Sequence, residues 1–273
     1  MKSIVVPIDF SQQSETALKV AADIARKHNA TLYVMHMLEL SPSVTSNTDL
    51  IPGEHMVHLL KITEDRFAKF LEKPYLKGIA VTPIIKHYKV FSEVNEVAEK
   101  HKADLIVMGS HGVDGLEELF IGSNTERVVR SAEVPVLVVK GDMTKFNAER
   151  IVFASDFKLE SVDVAKRVVA FAALIGAELQ MVYINTPADN FLSTADTYSR
   201  ISKFLDQAKL GKEVVIYNDY TVEKGILAFA DSNAADMIAI PTHGRKGITH
   251  FFMGSIGEDV ANHSEIPVVT FKI

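Results

Sequence analysis

The chain has 273 residues, 47% of them apolar and 23% charged, a globular composition long enough for one large domain or two ordinary ones. Its net charge of −6 divides into −2 over residues 1–146 and −4 over the rest, so neither half attracts nucleic acid or an anionic membrane. The absence of cysteine excludes disulfides, thiolate chemistry and cysteine zinc sites; with no leader-like start and no apolar run of membrane-spanning length, a cytoplasmic location is expected.

Residues 3–8 are apolar on consecutive positions and predict a buried strand. Pro7 predicts that this strand stops or bulges there. Residues 9–14 supply turn and cap side chains. Ala17, Leu18, Ala21, Ala22, Ile24 and Ala25 then form a helical stripe running to His28. A second strand is expected over 31–37. Residues 40–53, rich in Ser, Pro, Thr and Asn, read as a loop before a helix over 55–72. A third strand over 81–85, a third helix over 90–101 and a fourth strand over 105–108 follow. A glycine-bearing stretch then leads into a short helix over 124–131 and a fifth strand over 134–139.

The pattern then begins again. Residues 150–156 repeat 3–9, and 177–183 repeat 30–36, both at an offset of 147. Residues 235–244 repeat 103–112 at an offset of 132, as Gly254 and Ser255 repeat Gly122 and Ser123. The second copy is therefore shorter between its second and third strands, and the loop after Leu40 is the expected place. Strands alternating with helices imply parallel sheets with right-handed crossovers. The expected fold is α/β: two tandem doubly wound domains, 1–143 and 148–273, each a five-stranded parallel sheet with helices on both faces. In such sheets ligands bind beyond the C-terminal strand ends, where strand order reverses. Asp9, Met37 and Gly109 all fall at such ends.

Gly109, Gly112, Gly122 and Ser123 form the pattern Gly-x2-Gly-x9-Gly-Ser between a strand and a helix start. Glycine permits close backbone approach to a ligand, and unpaired amides at a helix start favour anions. The stretch therefore reads either as a phosphate cradle or as a turn that needs glycine for its own geometry.

These residues resemble the universal stress protein family in its tandem two-domain form. The glycine pattern, the first strand ending in Asp9 and the closing Pro135-Val-Leu-Val138 strand all match, and the likeness covers nearly the whole chain twice. The resemblance implies the adenine nucleotide alpha hydrolase-like fold and an adenine-nucleotide site for ATP, AMP or ADP, with Mg2+ left open. It implies that Asp9 meets the adenine or ribose and that the Met37 backbone pairs with the adenine edge. Gly109, Gly112 and Gly122 would line ribose and phosphates, and Ser123 and Thr125 would give hydroxyls to phosphate. The alternatives are a capping role for Asp9 and a plain N-cap role for Ser123.

Copy two keeps Asp156, Gly244, Gly254 and Ser255. Pro241 replaces Gly109 and removes an amide donor, Lys158 stands in place of Ser11, and Gly257 in place of Thr125. Asp114, Glu117 and Glu118 in the first loop oppose a triphosphate, whereas Arg245 and Lys246 in the second would suit it. The backbone favours copy one. His111 and His243 read as loop histidines, and His55 with His58 lacks a third metal ligand nearby. No Gly-x4-Gly-Lys-[Ser/Thr] or Gly-x-Ser-x-Gly is present.

The expected function is a stress-type regulator that binds adenine nucleotide, signals through an unidentified protein partner and is not an enzyme. A slow ATP hydrolase and a ligand-free scaffold are the alternatives. The two apolar final strands are expected to pair antiparallel, making an internal pseudo-dimer, with any homodimer using other surfaces.

Overall fold

The structure is a computed structural model that describes all residues except 39–52, 88–89, 111–121, 142, 144–145, 188–190 and 243–252. Copy one comprises β1 (Ser3–Ile8), α1 (Gln12–His28), β2 (Thr31–Leu38), α2 (Gly53–Leu71), β3 (Val81–His87), α3 (Val90–Lys100), β4 (Leu105–Gly109), α4 (Ser123–Ser131) and β5 (Val136–Val139). Copy two comprises β6 (Arg150–Ala154), α5 (Val162–Ile175), β7 (Glu178–Asn185), α6 (Thr194–Ala208), β8 (Val214–Asn218), α7 (Val222–Ser232), β9 (Met237–Thr242), α8 (Met253–His263) and β10 (Val268–Lys272).

Local chemistry sets the helix ends. Ser11 caps α1 by accepting from the Ser14 amide, and Asn29 closes it in the left-handed region at φ 53°. Gly176, at φ 80°, closes α5 in the same way. Ser193 and Thr221 cap α6 and α7. Basic Arg26, Lys27 and His28 lie in the last turn of α1, where the helix dipole favours them.

The ten strands form one sheet in the order β3-β2-β1-β4-β5-β10-β9-β6-β7-β8. Each copy is a parallel half-sheet, and the halves join where β5 meets β10. That pairing is antiparallel, with Val138 opposite Val268 and Leu137 opposite Val269. The expected pseudo-dimer is thus the actual architecture, and the two apolar edges cover each other. All four of these side chains are buried, each contributing about 1.5–3 kcal/mol through burial.

One face of the sheet carries α1, α2, α5 and α6 over a single core that runs through both copies, including Leu18, Phe67, Leu137, Phe153, Phe204 and Phe271. The opposite face has two separate cores, one under α3 and α4 and one under α7 and α8. Hydrogen bonds stitch the junction. Lys27 Nζ donates to the Ile175 carbonyl at the end of α5. Arg167 donates to the carbonyls of Lys272 (2.9 Å) and Glu133 (3.1 Å). Lys140 Nζ donates to the Asn262 carbonyl at 3.1 Å.

Two expectations need correction. Pro7 neither ends nor bulges β1, which pairs with β2 as far as Ile8 opposite His36. The Thr31 amide donates to Lys2, so even positions of β1 face β2 and odd ones face β4. Pro7 therefore directs its missing donor toward β4, whose pairing with β1 has already ended at Val5. The shortening of copy two is also spread beyond the loop after Leu40. Residues 39–52 separate β2 from α2, whereas 186–193 separate β7 from α6. The helix itself falls from 19 to 15 residues, and the 3-10 turn Pro74–Leu76 has no counterpart in copy two.

Candidate nucleotide site

The site starts at the turn after β1. Phe10 adopts the left-handed conformation at φ 66°, and Phe157, its counterpart in copy two, does so at φ 52°. A bulky residue there is strained by about 1–3 kcal/mol. Ring packing holds it. Phe10 sits 4.2 Å from the His36 ring and 6.0 Å from Phe67 between centroids, and Phe157 sits 5.1 Å from Phe204. Sequence reasoning missed this turn, although one signal was present: phenylalanine follows the strand-ending aspartate in both copies.

The reversal at Phe10 brings Asp9 over the start of α1. Asp9 Oδ1 accepts from the Ser11 amide at 2.9 Å and from the Ser11 hydroxyl. Burial pushes the Asp9 carboxyl up, but the hydrogen bonds from Ser11 and Ser14 outweigh it and hold the group below its ordinary value of 3.8. Asp9 is thus a solvent-exposed carboxylate fixed in one orientation. It does not cap α1; Ser11 does that, one link further along. In copy two, Lys158 takes the place of Ser11. Its amide donates to Asp156 Oδ1 at 3.1 Å, and its Nζ lies 3.0 Å from Asp156 Oδ2. That contact has ion-pair distance without hydrogen-bond alignment, because Asp156 Oδ2 is buried with no hydrogen-bond partner. Copy two therefore neutralises the carboxylate that copy one presents.

Met37 lies in β2 next to its end at Leu38, with its side chain buried. Odd positions of β2 face β1, as the Thr31 amide does, and β1 pairing ends at His36. The Met37 carbonyl thus looks toward the crevice past the last paired residue.

The glycines of the pattern differ in what requires them. A Cβ on Gly109 would lie 2.3 Å from the Gln13 carbonyl oxygen and 2.6 Å from its carbon. The first turn of α1 thus presses on β4, and fold geometry alone demands glycine there. At Pro241 such an approach is impossible, and α5 starts only at Val162, after the 3-10 turn Leu159–Ser161. Counted at the offset of 147, that start is three residues later than α1. The sheet does not suffer: Pro241 pairs with Phe271, and its missing donor faces β6 beyond the last β6–β9 pair, Phe153 with Ala239.

Gly122 is the opposite case. It precedes α4 at φ −51° and ψ 140°, a conformation open to any residue. It is exposed, and a Cβ there would meet nothing within 4 Å among the described residues. Neither backbone conformation nor packing against the described residues explains a glycine at the start of α4.

Thr125 departs from the role the resemblance implies. It is buried, and its hydroxyl donates to the Gly109 carbonyl at 3.4 Å, tying α4 to the end of β4. Its counterpart Gly257 is also buried, and a Cβ there would lie 3.2 Å from Thr242 Cγ2. By the offset of 132, Ser110 and Thr125 of copy one correspond to Thr242 and Gly257 of copy two. Gly254 and Ser255 lie within the first turn of α8, whereas Gly122 precedes α4 and Ser123 begins it. The Ser123 and Ser255 side chains lie outside the described set, as do Gly112, Gly244, His111, His243, Asp114, Glu117, Glu118, Arg245 and Lys246. Among the described residues, no three His, Asp or Glu side chains gather as a metal site, and no helix is long and apolar enough to cross a membrane.

Known proteins give the same picture. A sequence profile described as the universal stress protein family matches residues 1–140 and again 147–272. Universal stress protein MJ0531 of Methanocaldococcus jannaschii is 35% identical over 51% of this chain and 82% of its own length. Universal stress protein Slr1230 of Synechocystis is 22% identical and aligns over 100% of both chains. The crystal structure of a universal stress protein from Archaeoglobus fulgidus superposes with a TM-score of 0.71, at 24% identity, over 99% of this chain and 98% of that one. Two consecutive profile matches, on two half-sheets joined edge to edge, mean that this chain belongs to the universal stress protein family, in a tandem form.

Proposed function

We propose that copy one binds an adenine nucleotide, ATP or its AMP and ADP relatives, and that the protein acts as a nucleotide-responsive regulator rather than an enzyme. Gly122 carries this reading. A glycine that neither its φ, ψ nor its packing against the described residues requires, at the start of a nine-residue helix, leaves room for a group to approach the helix amides. The Asp9 carboxylate and the Met37 carbonyl supply acceptors for the adenine and ribose end of the same crevice. A regulatory role in the cytoplasm, exerted through a protein partner, follows from the same reading.

Copy two binds the nucleotide weakly or not at all. Pro241 lacks the amide, Lys158 engages Asp156, and the first turn of the following helix is displaced. Each lost hydrogen bond to an ionic group removes about 1.5–3 kcal/mol, or roughly ten- to a hundredfold in affinity. Calorimetry with ATP tests both statements. One site per chain, abolished by Gly122→Val and retained in Gly254→Val, is the expected result. Loss of binding on Gly254→Val alone would place the site in copy two. Steady phosphate release, eliminated by Gly122→Val, would make the protein a hydrolase instead.

A further inference from the structure

Copy two has a groove lined by Lys158 and Leu159 after β6 and by Asp196, Ser199, Arg200 and Lys203 of α6. We infer that this groove is a second ligand site, specific for the phosphoryl group of a small phosphate monoester.

Charge is the first argument. Three cations from two separate elements converge on one groove in the half of the chain that carries a net −4. Lys158 is engaged with Asp156. Asp196, the one acidic lining residue, accepts from the Ser193 hydroxyl at 2.6 Å as part of the helix cap. Arg200 and Lys203 have no acidic partner among the described residues. They stand three residues apart on α6 and therefore share a face. An arginine fork, two ammonium groups and the Ser199 hydroxyl together supply the donors that a dianionic phosphoryl group takes up.

Comparison with copy one is the second argument. Phe67 and Phe204 are equivalent anchors, each packed against the left-handed phenylalanine of its copy. Counting from them, Arg200 and Lys203 correspond to Thr63 and Arg66, while Lys158 corresponds to Ser11. Arg66 lies 4.4 Å over the Phe10 ring. Phe157, by contrast, is fully buried, and the groove opens above it. Lys158 and Arg200 are thus charges that copy one lacks, while Lys203 keeps the charge of Arg66, which in copy one lies over the Phe10 ring.

Position is the third. The groove lies on the α5–α6 face of the sheet. The glycine stretch leads into α8, on the other face. A ligand here is separate from a nucleotide phosphate at the start of α4 or α8. Leu159, 59% exposed at the rim, gives an apolar contact that suits an organic ester more than the bare anion. The inference does not rest on the nucleotide reading of copy one.

The test titrates the full chain, wild type and Gly122→Val, with phenyl phosphate and with inorganic phosphate at low salt. Amide NMR signals of residues 158–159 and 199–203 report the location. Saturable shifts at these residues in both proteins, tighter for phenyl phosphate, are expected. Arg200→Ala with Lys203→Ala should weaken phenyl phosphate at least tenfold without altering ATP binding. Lys203 is exposed and Arg200 half-buried on α6, and an unchanged melting temperature checks that the variant keeps its fold. Absence of shifts, shifts confined to the start of α4, or unaltered affinity in the double variant overturns the site. Equal or tighter binding of inorganic phosphate overturns the ester assignment.

Discussion

Two glycines of one pattern should separate cleanly into a fold position and a ligand position. At Gly109 the added methyl of Gly109→Ala would lie 2.3 Å from a backbone oxygen and 2.6 Å from a backbone carbon of Gln13. The obstacle is main chain in the first turn of α1, so no rotamer change relieves it. Either α1 lifts from β4 or the strand shifts. Overpacking of this kind costs about 1–3 kcal/mol, and for a chain of this size each kcal/mol corresponds to about 2–4 °C in melting temperature. Gly109→Ala should therefore melt about 2–12 °C below wild type. Because the clash is with the Gln13 backbone, adding Gln13→Ala should not restore it. Gly122→Val meets nothing within 4 Å among the described residues and should melt with wild type, yet lose nucleotide. Differential scanning calorimetry and ATP titration on the same samples give both readouts. An undisturbed melting temperature for Gly109→Ala would refute the argument that α1 imposes this glycine. A destabilised Gly122→Val would mean that its glycine serves the fold after all.

Val138 is fully buried opposite Val268 at the junction; Val138→Asp leaves an uncompensated buried charge, a loss of about 3–5 kcal/mol, and should lower the melting of both copies together, whereas a change in oligomeric state alone would contradict the pairing. The Asp9 carboxyl is held below its ordinary 3.8, so its contribution is present above that value and disappears as pH falls through the folded pKa; the stability gap between wild type and Asp9→Asn should close in acid, and a constant gap down to pH 2 would count against the Ser11 hydrogen bonds. Burial pushes Lys140 down to about 8 from 10.5, so the unfolded chain holds the proton more tightly between those values. Wild type should gain stability relative to Lys140→Met as pH rises from about 8 toward 10.5, and denaturant melts showing parallel behaviour of the two proteins would dismiss the shift.

Much of this fold was legible because each level of the sequence agreed with the next. The offsets of 147 and 132 set two copies side by side, and the apolar final strands indicated how they join. The antiparallel β5–β10 pairing followed from the need to cover two apolar edges. What stayed illegible depended on direction. The sequence shows a proline in β1 and another in β9, but not that each aims its missing donor at a side where the ladder has already stopped. It shows Gly109 and Gly122 as members of one pattern, but not that α1 rests on the first while the second meets none of the described residues. Thr125 looked like a phosphate donor by position alone; the contact with the Gly109 carbonyl is tertiary. The Phe10 and Phe157 turns were hidden because phenylalanine rarely signals a left-handed residue, and only their recurrence in both copies could have betrayed them.

The joined sheet explains how the copies diverged without loss of fold. The core under α1, α2, α5 and α6 is continuous across the junction, so each copy stabilises the other through that face. The opposite face keeps its two cores apart, and there α4 and α8 begin after the glycine stretches. A substitution at the end of β9 acts on the shared-core face, where Met237 and Ala239 of the same strand are buried, and it is taken up at the start of α5. Pro241 removes no ladder bond, the delayed start of α5 is absorbed by one 3-10 turn, and Thr242 fills the room left by Gly257. These adjustments are local. The cations Lys158, Arg200 and Lys203 lie beside that displaced helix start, lining the groove there. Reverting Pro241 to glycine alone should leave nucleotide binding in copy two unrestored, because α5 and Lys158 remain in place. Calorimetry that found a second ATP site in Pro241→Gly would show that the one proline, and not the rebuilt helix start, had closed copy two.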